Sequence, residues 1–423
     1  MGWAAPTSGP LRARVELPGS KSAAARALVL AALATGPSTL SGLPTGRDTA
    51  LMLNALSALG ADITASGNTA VVTPGDLQAA SVDCGLSGTV MRFLPPLAAI
   101  GARPVRFHGD TQAHARPMGP LLGALRTLGA QVDSDSLPFS VLGPVTRGEA
   151  VVDSSASSQF ISGLLLSAAR YPEGLHLMHR GGPLPSRPHI DMTLLLLQAR
   201  GVCAENDGNT WFVAPGDIAP VTERIEPDLT ATATFLAAAL VAGGSVTAPW
   251  PAPATAVSLA GGAPRWIQPA ADLLDALQAF GARVQQRDGE VTISGDLQPA
   301  PWLDLGAISE FTPAAAALAA LADGPSEITG VGHIRGHETD RLAALEAGIN
   351  ALGGRVSQTE NGLRIEPAKL HGGVFAVRAD HRLAHAAALL GLAVPGVVID
   401  DIAATSKTIP DFPERWAAMV RAS

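Results

Sequence analysis

The 423-residue sequence predicts an α/β protein of two similar domains, each containing three repeated units. The first observation is a pattern in which an apolar helix, with leucines three or four residues apart, is followed by Gly and a short strand. The second observation is the recurrence of this pattern at 51–63, 121–132, 193–204, 273–284 and 345–356. With repeats of about 70 residues, the chain accommodates six units, or three per domain.

A glycine marks the end of each predicted helix, at Gly60, Gly129, Gly201, Gly281 and Gly353. Successive glycines are 69, 72, 80 and 72 residues apart. Glycine adopts, at little cost, the left-handed conformation that commonly follows a helix, and the alternating residues after it are typical of a strand. We therefore predict a left-handed backbone at all five positions.

The two ends of the chain are predicted to meet in the last unit. The sixth helix, 413–421, has no strand after it, whereas 11–17 alternates as a strand and has no helix before it. We expect residues 1–20 to complete the last unit of the C-terminal half. A boundary near 226–228, where proline favours an extended crossover, gives an N-terminal domain of 21–227 and a C-terminal domain of 1–20 plus 228–423.

The composition excludes several classes of protein. Hydrophobic residues make up 47% and charged residues 16%, which is typical of a folded globular chain and not of disorder or a coiled coil. Two cysteines, Cys84 and Cys203, are too few for a disulfide framework or a multi-cysteine zinc site, so we expect a reducing, cytoplasmic setting. Apolar runs such as 231–242 fall short of the roughly 20 residues that a bilayer requires. A net charge of −8 argues against a nucleic-acid partner.

Lysine is rare in this chain. Of 29 basic residues only three are lysine, namely Lys21, Lys369 and Lys407. The high content of Ala, Gly, Arg and Pro indicates a GC-rich coding background, in which Arg replaces Lys wherever any cation serves. A lysine that persists is therefore a candidate for chemistry that a guanidinium cannot perform.

The first predicted helix begins in a way that suits an anion. The segment 17–26, LPGSKSAAAR, ends a strand and starts a helix, with Ser20 or Ser22 as the capping residue. Lys21 and Ser22 converge there with the free N–H groups of the helix, and Arg26 follows one turn later on the same face. The P-loop spacing GxxxxGK[ST] is absent, so a P-loop is not predicted.

Other helix starts in the first half have a similar character. Gly88 lies in a glycine-flanked turn and would let a ligand approach the backbone closely. Arg92 either points into the site or stabilises the helix, and the supporting role is favoured. Arg116 precedes a proline, which favours the extended loop geometry of a carboxylate or phosphate clamp. Polar clusters at 154–159 and 185–193 also begin helices. If the repeats are related by rotation, these starts face a common centre.

Acids and bases concentrate at strand-to-helix junctions of the second half. These junctions contain Glu310, the run GHETDR at 336–341, the run DHR at 380–382 and the run ATSKTIPD at 404–411. The GHETDR run lacks the i,i+4 histidine pair of HExxH zinc proteases, and DHR lacks the serine elbow of hydrolases. Neither of those enzyme classes is predicted.

In chain order, the motifs LPGSKS, SGTVMR, ARPMG, SSQF, PSRPHIDMT, GHETDR, DHR and SKTIPDF resemble the enolpyruvyl transferases, and among them those whose acceptor is shikimate 3-phosphate. The resemblance extends from Leu11 to Trp416. It implies repeats of the βαβαββ type, with helix N-termini facing an interdomain cleft that closes on the substrates. It also implies transfer of the enolpyruvyl group of phosphoenolpyruvate to the 5-hydroxyl of the acceptor, by a monomer with small-molecule substrates and neither a metal nor another cofactor.

The resemblance further implies which residues bind each substrate. Contacts to shikimate 3-phosphate are implied for Lys21, Ser22, Arg26, Ser157, Ser158, Gln159, Ser186, Glu310 and His337. Contacts to phosphoenolpyruvate are implied for Lys21, Gly88, Arg116, Gln159, Arg341, Arg382 and Lys407. The catalytic set is Glu310 as general base, together with Lys21, Glu338 and Lys407, where Glu338 or Lys407 handles the proton at C3.

The sequence departs from the commonest family pattern at several positions, none of which removes a catalytic charge. They are Leu86 in place of Asn, His189 in place of Tyr, Ala24-Ala25 in place of Ser-Asn, and His337 where many members carry Lys. Two alternatives stay open. The first is the sister enzyme that acts on UDP-N-acetylglucosamine. That enzyme usually carries a cysteine in the loop that here spans 109–117, and this loop contains none. The second alternative is a binding homologue without catalysis.

Overall fold

The structure is a computed structural model that describes residues 2–251 and 267–422. These residues group into two bodies. The N-terminal body comprises 19–226 with 267–268, and the C-terminal body comprises 2–18, 227–251 and 269–422. Two short strands open the chain, β1 (Trp3–Ala4) and β2 (Leu11–Arg14), and both belong to the C-terminal body.

The N-terminal body contains three repeats. The first contains α1 (Lys21–Ala32), β3 (Ser38–Ser41), α2 (Arg47–Ala58), β4 (Asp62–Ser66) and β5 (Thr69–Thr73). The second contains β6 (Ala80–Asp83), α3 (Gly88–Ala98), β7 (Val105–His108), α4 (Gly119–Thr127), β8 (Gln131–Val132) and β9 (Phe139–Leu142). The third contains β10 (Glu149–Val152), α5 (Gln159–Ala168), β11 (Leu175–His179), α6 (Pro188–Gln198), β12 (Ala204–Asp207) and β13 (Thr210–Val213), and β14 (Thr222–Arg224) follows it.

The C-terminal body repeats this plan. Its first repeat contains α7 (Leu229–Ala242), β15 (Gly244–Pro249), α8 (Ala270–Ala279), β16 (Ala282–Arg287) and β17 (Glu290–Gly295). The next contains β18 (Leu303–Asp304), α9 (Thr312–Leu321), β19 (Ser326–Thr329), α10 (Arg341–Ala351), β20 (Arg355–Thr359) and β21 (Gly362–Glu366). The last contains β22 (Gly373–Phe375), α11 (His381–Ala393), β23 (Val397–Ile399) and α12 (Phe412–Arg421).

Among the described residues, each repeat forms one small mixed sheet, which has four strands in five repeats and three strands, β1-β23-β22, in the last. In the sheet β6-β7-β9-β8, the first two strands are parallel, and β9 then pairs antiparallel with both β7 and β8. The sheets β10-β11-β13-β12 and β18-β19-β21-β20 have the same arrangement. The βαβαββ repeat and the α/β fold class are therefore confirmed.

The first strand of the leading sheet in each body comes from a distant part of the chain. β14 pairs in parallel with β3, 183 residues earlier, and β2 pairs in parallel with β15. The prediction that the strand starting at Leu11 completes the last unit is therefore wrong, and the strand ends at Arg14, before Leu17. The last sheet is completed instead by β1, which pairs antiparallel with β23. The alternation of 11–17 reveals a strand, but its partner is decided by long-range pairing, and β1 is too short to alternate.

Several helices are buried nearly all round. Every residue of α3 is buried, as are Phe160–Ala168 of α5 and most of α9 and α11. When all sides of a helix are packed inside the protein, only its ends can contact a ligand. The polar groups of the first turn are therefore the ones that remain available for binding. No helix in 2–251 or 267–422 has the length and apolarity needed to cross a bilayer.

The five glycines that follow the repeated helices have the predicted left-handed backbone. Their φ angles are 116° at Gly60, 108° at Gly129, 80° at Gly201, 94° at Gly281 and 88° at Gly353. The surroundings differ, since a Cβ atom at Gly60 would lie 2.2 Å from the carbonyl oxygen of Asp76, whereas one at Gly201 would meet nothing within 4 Å. The same turn is therefore fixed by conformation alone at one position and by conformation and packing at the other.

This difference predicts graded losses of stability. Gly201→Ala should lower the free energy of unfolding by about 1–2 kcal/mol, because an alanine is strained in the left-handed region. Gly60→Ala should cost about 1–3 kcal/mol more, because its methyl group clashes with backbone. Gly123→Ala is the matched control, since it lies within α4 with open space around its Cβ, and it should be neutral or stabilising. Urea denaturation of the three variants would contradict this reasoning if Gly201→Ala were as harmless as Gly123→Ala.

Candidate active site

The start of α1 presents Lys21 and Ser22 as the sequence predicts. Ser20 is the capping residue, because its hydroxyl accepts a hydrogen bond from the backbone N–H of Ala23 at 3.3 Å. The Lys21 ammonium lies 3.1 Å from Asp48 Oδ2, and Lys21 remains partly exposed. Asp48 has no motif around it that would single it out in the sequence, and it holds the ammonium at the helix start.

Arg26 faces the interior of the N-terminal body. Its guanidinium donates hydrogen bonds to Thr193 Oγ1 at 2.8 Å, to Ser162 Oγ at 3.1 Å and to the carbonyl oxygens of Ser22 and His189 at 2.8 and 2.9 Å. Burial lowers the pKa of Arg26 to about 9. Arg26 thus links α1 to α5 and α6, and its hydrogen bond to the Ser22 carbonyl oxygen holds Ser22 in place.

Two guanidinium groups line the space at the start of α3. A Cβ atom on Gly88 would lie 3.0 Å from Arg92 Nη1 and 3.1 Å from Arg116 Nη2. Arg116 has the extended backbone that its following proline favours, and it donates a hydrogen bond to the Leu86 carbonyl oxygen at 3.0 Å. The absence of a side chain at Gly88 therefore leaves room for a ligand against two cations.

The serine cluster before α5 includes local caps. The Ser157 hydroxyl accepts a hydrogen bond from the backbone N–H of Gln159 at 3.3 Å, and Ser158 is buried at the N-cap position. The Gln159 side-chain oxygen accepts a hydrogen bond from Arg92 at 2.7 Å. Ser186, before α6, has a φ of 48°, which is unusual for a residue other than glycine. Strain of this kind concentrates at functional sites.

In the C-terminal body, Glu310 is surrounded by basic groups. Its carboxylate lies 2.9 Å from Arg341 Nη1, 3.2 Å from His337 Nδ1 and 3.6 Å from Arg382 Nε. Burial alone would raise the pKa of Glu310, but the charges of Arg341, His337 and Arg382 outweigh it and hold the pKa well below its usual range. Glu310 is therefore ionised in the absence of substrate.

Arg341 is held by two carboxylates. Its Nε donates a hydrogen bond to Asp380 Oδ2 at 2.7 Å, and its Nη1 reaches Glu310. Both Arg341 and Asp380 are fully buried. Burial would lower the pKa of Arg341, but Asp380 and Glu310 raise it, so the guanidinium keeps its charge inside the protein.

Two more ion pairs complete this group. Arg382 Nη2 donates a hydrogen bond to Asp228 Oδ2 at 3.1 Å. Lys407 Nζ lies 2.7 Å from Glu338 Oε1, and the other oxygen of Glu338 lies 3.2 Å from Nδ1 of His381. The structure thus brings together Glu310, His337, Glu338, Arg341, Arg382 and Lys407, and it adds Asp228, Asp380 and His381. The DHR motif of the sequence indicated Asp380 and His381. Asp228 follows a proline, and the sequence could have indicated it only as a capping residue.

Glu338, Asp380 and His381 also place possible metal ligands within 4.8 Å of one another. Both acids are already matched by cations, because Lys407 lies 2.7 Å from Glu338 and Arg341 lies 2.7 Å from Asp380. A divalent ion would have to enter against these two positive charges. The donor set therefore fits anion chemistry better than metal binding.

The chain is similar to known proteins over nearly its whole length. A model of the EPSP synthase family, described as EPSP synthase (3-phosphoshikimate 1-carboxyvinyltransferase), matches residues 6–416, so the chain belongs to this family. Two structures of EPSP synthase from Acinetobacter baumannii are each 23% identical, cover 98% of this chain and 97% of their own, and give TM-scores of 0.80 and 0.79. The enolpyruvyl transferase NikO from Streptomyces tendae is 21% identical, covers 98% of this chain and 96% of its own, and gives a TM-score of 0.75. The three structures share the fold of this chain.

Family membership confirms the predicted activity class. The chain is a transferase of the shikimate pathway, which leads to aromatic amino acids, and it uses small-molecule substrates. Its activity is that of a 3-phosphoshikimate 1-carboxyvinyltransferase. The roles of the individual residues remain predictions.

A buried histidine behind this site predicts an acid-sensitive stability. The ring of His385 stacks on Phe412 with centroids 4.6 Å apart, and neither ring nitrogen has a hydrogen-bond partner among the described residues. Burial, with Arg382, His381 and Arg341 nearby, holds the pKa of His385 well below its ordinary value of 6.5. Below pH 6.5 the His385 ring is therefore protonated in the unfolded chain but neutral in the folded chain. The free energy of unfolding consequently falls as the pH falls.

The variant His385→Met should lose less stability than the parent when urea denaturation is measured between pH 7.5 and 5. The difference in slope should approach at most about 1.4 kcal/mol per pH unit, which is the contribution of one proton. His371→Met replaces an exposed histidine of the same body and is the matched control for the loss of an imidazole. Equal slopes for the parent and His385→Met would contradict this interpretation.

Proposed function

We propose that the residues described above transfer the 1-carboxyvinyl group of phosphoenolpyruvate to the 5-hydroxyl of shikimate 3-phosphate and release phosphate. The observation that carries this proposal is the cluster around Glu310, where one ionised carboxylate lies within 3.6 Å of Arg341, His337 and Arg382. Both substrates are multiply charged anions, and paired cations of this kind can bind them while a carboxylate remains to accept a proton. We further propose that the enzyme acts as a monomer in the cytoplasm.

The acceptor, shikimate 3-phosphate, is bound by groups suited to a phosphate and several hydroxyls. Lys21 and the helix start beside it attract the phosphate, and the remaining contacts come from hydroxyl, amide, carboxylate and imidazole groups. Arg26 contributes through its hold on the Ser22 carbonyl oxygen. The proposed acceptor ligands are Lys21, Ser22, Arg26, Ser157, Ser158, Gln159, Ser186, Glu310 and His337.

Phosphoenolpyruvate is bound by the arginines and lysines with their neighbouring backbone. Gly88 leaves open the space that Arg92 and Arg116 line, and planar guanidinium groups match both phosphate and carboxylate oxygens. The proposed ligands are Lys21, Gly88, Arg116, Gln159, Arg341, Arg382 and Lys407.

The reaction proceeds by addition and then elimination. The 5-hydroxyl oxygen attacks C2 of phosphoenolpyruvate and loses its proton to Glu310, while C3 gains a proton from Lys407 or Glu338. In the tetrahedral adduct the C2–O bond to phosphate then breaks, the departing phosphate takes up the proton held by Glu310, C3 returns its proton to the Lys407–Glu338 pair, and the double bond re-forms. The 2.7 Å contact between Lys407 and Glu338 allows that proton to be shared by the pair.

Substrate binding makes Glu310 a better base. Without substrate, Arg341 and Arg382 hold its pKa low, so its affinity for a proton is weak. A substrate carboxylate that binds these two arginines brings a compensating negative charge to the same place. The pKa of Glu310 then rises, and the base becomes effective when the substrate is bound.

The direct test measures phosphate release from phosphoenolpyruvate by the purified protein with each of two acceptors. Release should depend on shikimate 3-phosphate. Release that depended instead on UDP-N-acetylglucosamine would favour the sister activity, and binding of both proposed substrates without release would favour a non-catalytic homologue. Mass spectrometry of the product distinguishes transfer to the acceptor from hydrolysis of phosphoenolpyruvate.

Replacement of the general base predicts a loss in turnover. Glu310→Gln keeps the shape and a hydrogen-bond acceptor beside Arg341 but cannot take up the proton, so kcat should fall by about 10²–10⁴-fold. Binding of both substrates, measured by calorimetry, should persist. Near-normal turnover by this variant would rule out Glu310 as the base.

Replacement of the three lysines by arginine should give two different results. Lys21→Arg and Lys407→Arg should each reduce kcat by at least about tenfold, because a guanidinium is larger than an ammonium and does not release a proton at neutral pH. Lys369→Arg is the matched control, because Lys369 is exposed and outside the proposed site. Its kcat and both KM values should equal those of the parent. Full activity of Lys407→Arg would exclude Lys407 as a proton donor.

A further inference from the structure

Arg92 is a buried cation whose surroundings differ from those of the other buried arginines. It lies in α3, one turn after Gly88, and only 4% of it is exposed. Its guanidinium carbon lies 5.4 Å from the ring centroid of Phe160, and its Nη1 donates a hydrogen bond to Gln159 Oε1 at 2.7 Å. Burial and the nearby charge of Arg116 hold the pKa of Arg92 well below its usual range.

The contacts of Arg92 do not offset the cost of burying its charge. Arg341 is matched by two carboxylates, and Arg26 donates four hydrogen bonds. Arg200 and Arg382 contact Glu223 and Asp228, whereas Arg92 has no carboxylate partner among the described residues and its buried Nε has no hydrogen bond there. An uncompensated buried charge destabilises a fold, so packing alone does not account for arginine at this position.

The hydrogen bond from Arg92 fixes the orientation of the Gln159 amide. A guanidinium can only donate, so the amide oxygen of Gln159 must face Arg92. The NH₂ end is then the one directed away from Arg92, where it can donate to another group. Without Arg92 the amide could turn over and present its oxygen, which repels an anion.

Arg92 also faces the space at Gly88. A Cβ atom there would lie 3.0 Å from Arg92 Nη1 and 3.2 Å from Arg116 Nη1. Two like charges this close to one position repel each other unless an anion lies between or beside them. The arrangement therefore matches a ligand with at least one fully ionised group, such as a phosphate.

We propose that Arg92 is a positioning residue for phosphoenolpyruvate, because it orients the Gln159 amide as a donor and adds a second positive charge beside Arg116 at Gly88. The inference rests on the proposed function, which assigns Gly88, Arg116 and Gln159 to this substrate. It adds that the supporting role of Arg92 is electrostatic and acts through Gln159 and Arg116. The shikimate 3-phosphate contacts made by Lys21 and Ser186 do not depend on it.

The test compares Arg92→Met and Arg92→Lys with the parent in steady-state kinetics. Arg92→Met should raise the KM for phosphoenolpyruvate by about 10- to 100-fold, the loss expected when a charge-assisted contact is removed. The KM for shikimate 3-phosphate should rise by a smaller factor, because Gln159 is only one of the nine ligands proposed for that substrate. Arg92→Lys should recover part of the loss, because it restores the charge without the planar donor group. Arg103→Met is the matched control, since it removes an exposed arginine of the same body and should change neither KM.

A double-mutant cycle with Gln159→Ala separates this role from a purely structural one. Because Arg92 acts partly through Gln159, Arg92→Met should cost less in the Gln159→Ala background than in the parent. Equal costs in the two backgrounds, an unchanged KM for phosphoenolpyruvate, or equal increases in both KM values would overturn the proposal. Thermal melting of each variant verifies that the comparison is made on folded protein.

Calorimetry with inorganic phosphate and with phosphoenolpyruvate gives a readout that does not depend on turnover. Arg92→Met should weaken both by about tenfold or more relative to Arg103→Met. If the parent protein binds these anions but shows no transfer, the proposed function fails while the role of Arg92 in anion binding is still measured. If transfer is normal and anion binding by Arg92→Met is unchanged, the inference fails and the proposed function stands.

Discussion

Two carboxylates that cap helices of the C-terminal body, Asp380 and Asp228, also hold its buried cations, and the candidate site depends on this double use. Asp380 caps α11 by accepting a hydrogen bond from the backbone N–H of Arg382, and it pairs with Arg341 at the first position of α10. Asp228 caps α7 and pairs with Arg382. Each aspartate therefore fixes both a helix start and a guanidinium group. The buried cations are thus compensated even when no substrate is bound.

The buried arginines at the candidate site of the N-terminal body have different neighbours. Arg26 is matched by neutral hydroxyl and carbonyl oxygens from α1, α5 and α6, which stabilise the fold but leave the charge itself unneutralised. Arg92 and Arg116 approach the same position at Gly88. A site held by carboxylates is stable when empty, whereas a site of adjacent guanidinium groups gains most when an anion arrives. The second arrangement favours tight binding at the expense of stability.

Local patterns in the sequence were sufficient for the repeats, because each glycine turn is decided by a few neighbouring residues. Partnerships over long distances were not predictable in the same way. Leu11 alternates as a strand residue wherever the strand pairs, and its position beside Gly244 follows from the assembled body. The interior position of Arg26 depends on Ser162, His189 and Thr193, which are 136 to 167 residues away. Asp48 and Asp228 were likewise found only from the structure, since their roles come from which cation they meet.

Lys21 and Lys407 are explained by the different effects that a neighbouring carboxylate has on an ammonium and on a guanidinium group. Lys21 lies 3.1 Å from Asp48 and Lys407 lies 2.7 Å from Glu338, contacts that an arginine could also make. An arginine beside a carboxylate would keep its proton at neutral pH, whereas an ammonium beside a carboxylate can exchange a proton with the pair once a substrate alters the local charge. Selection against lysine in a GC-rich background would therefore spare the positions where the cation must also move a proton or fit a small space. Lys369 is exposed and meets neither condition, so composition alone does not identify the functional lysines, and the contacts of each ammonium are needed to do so.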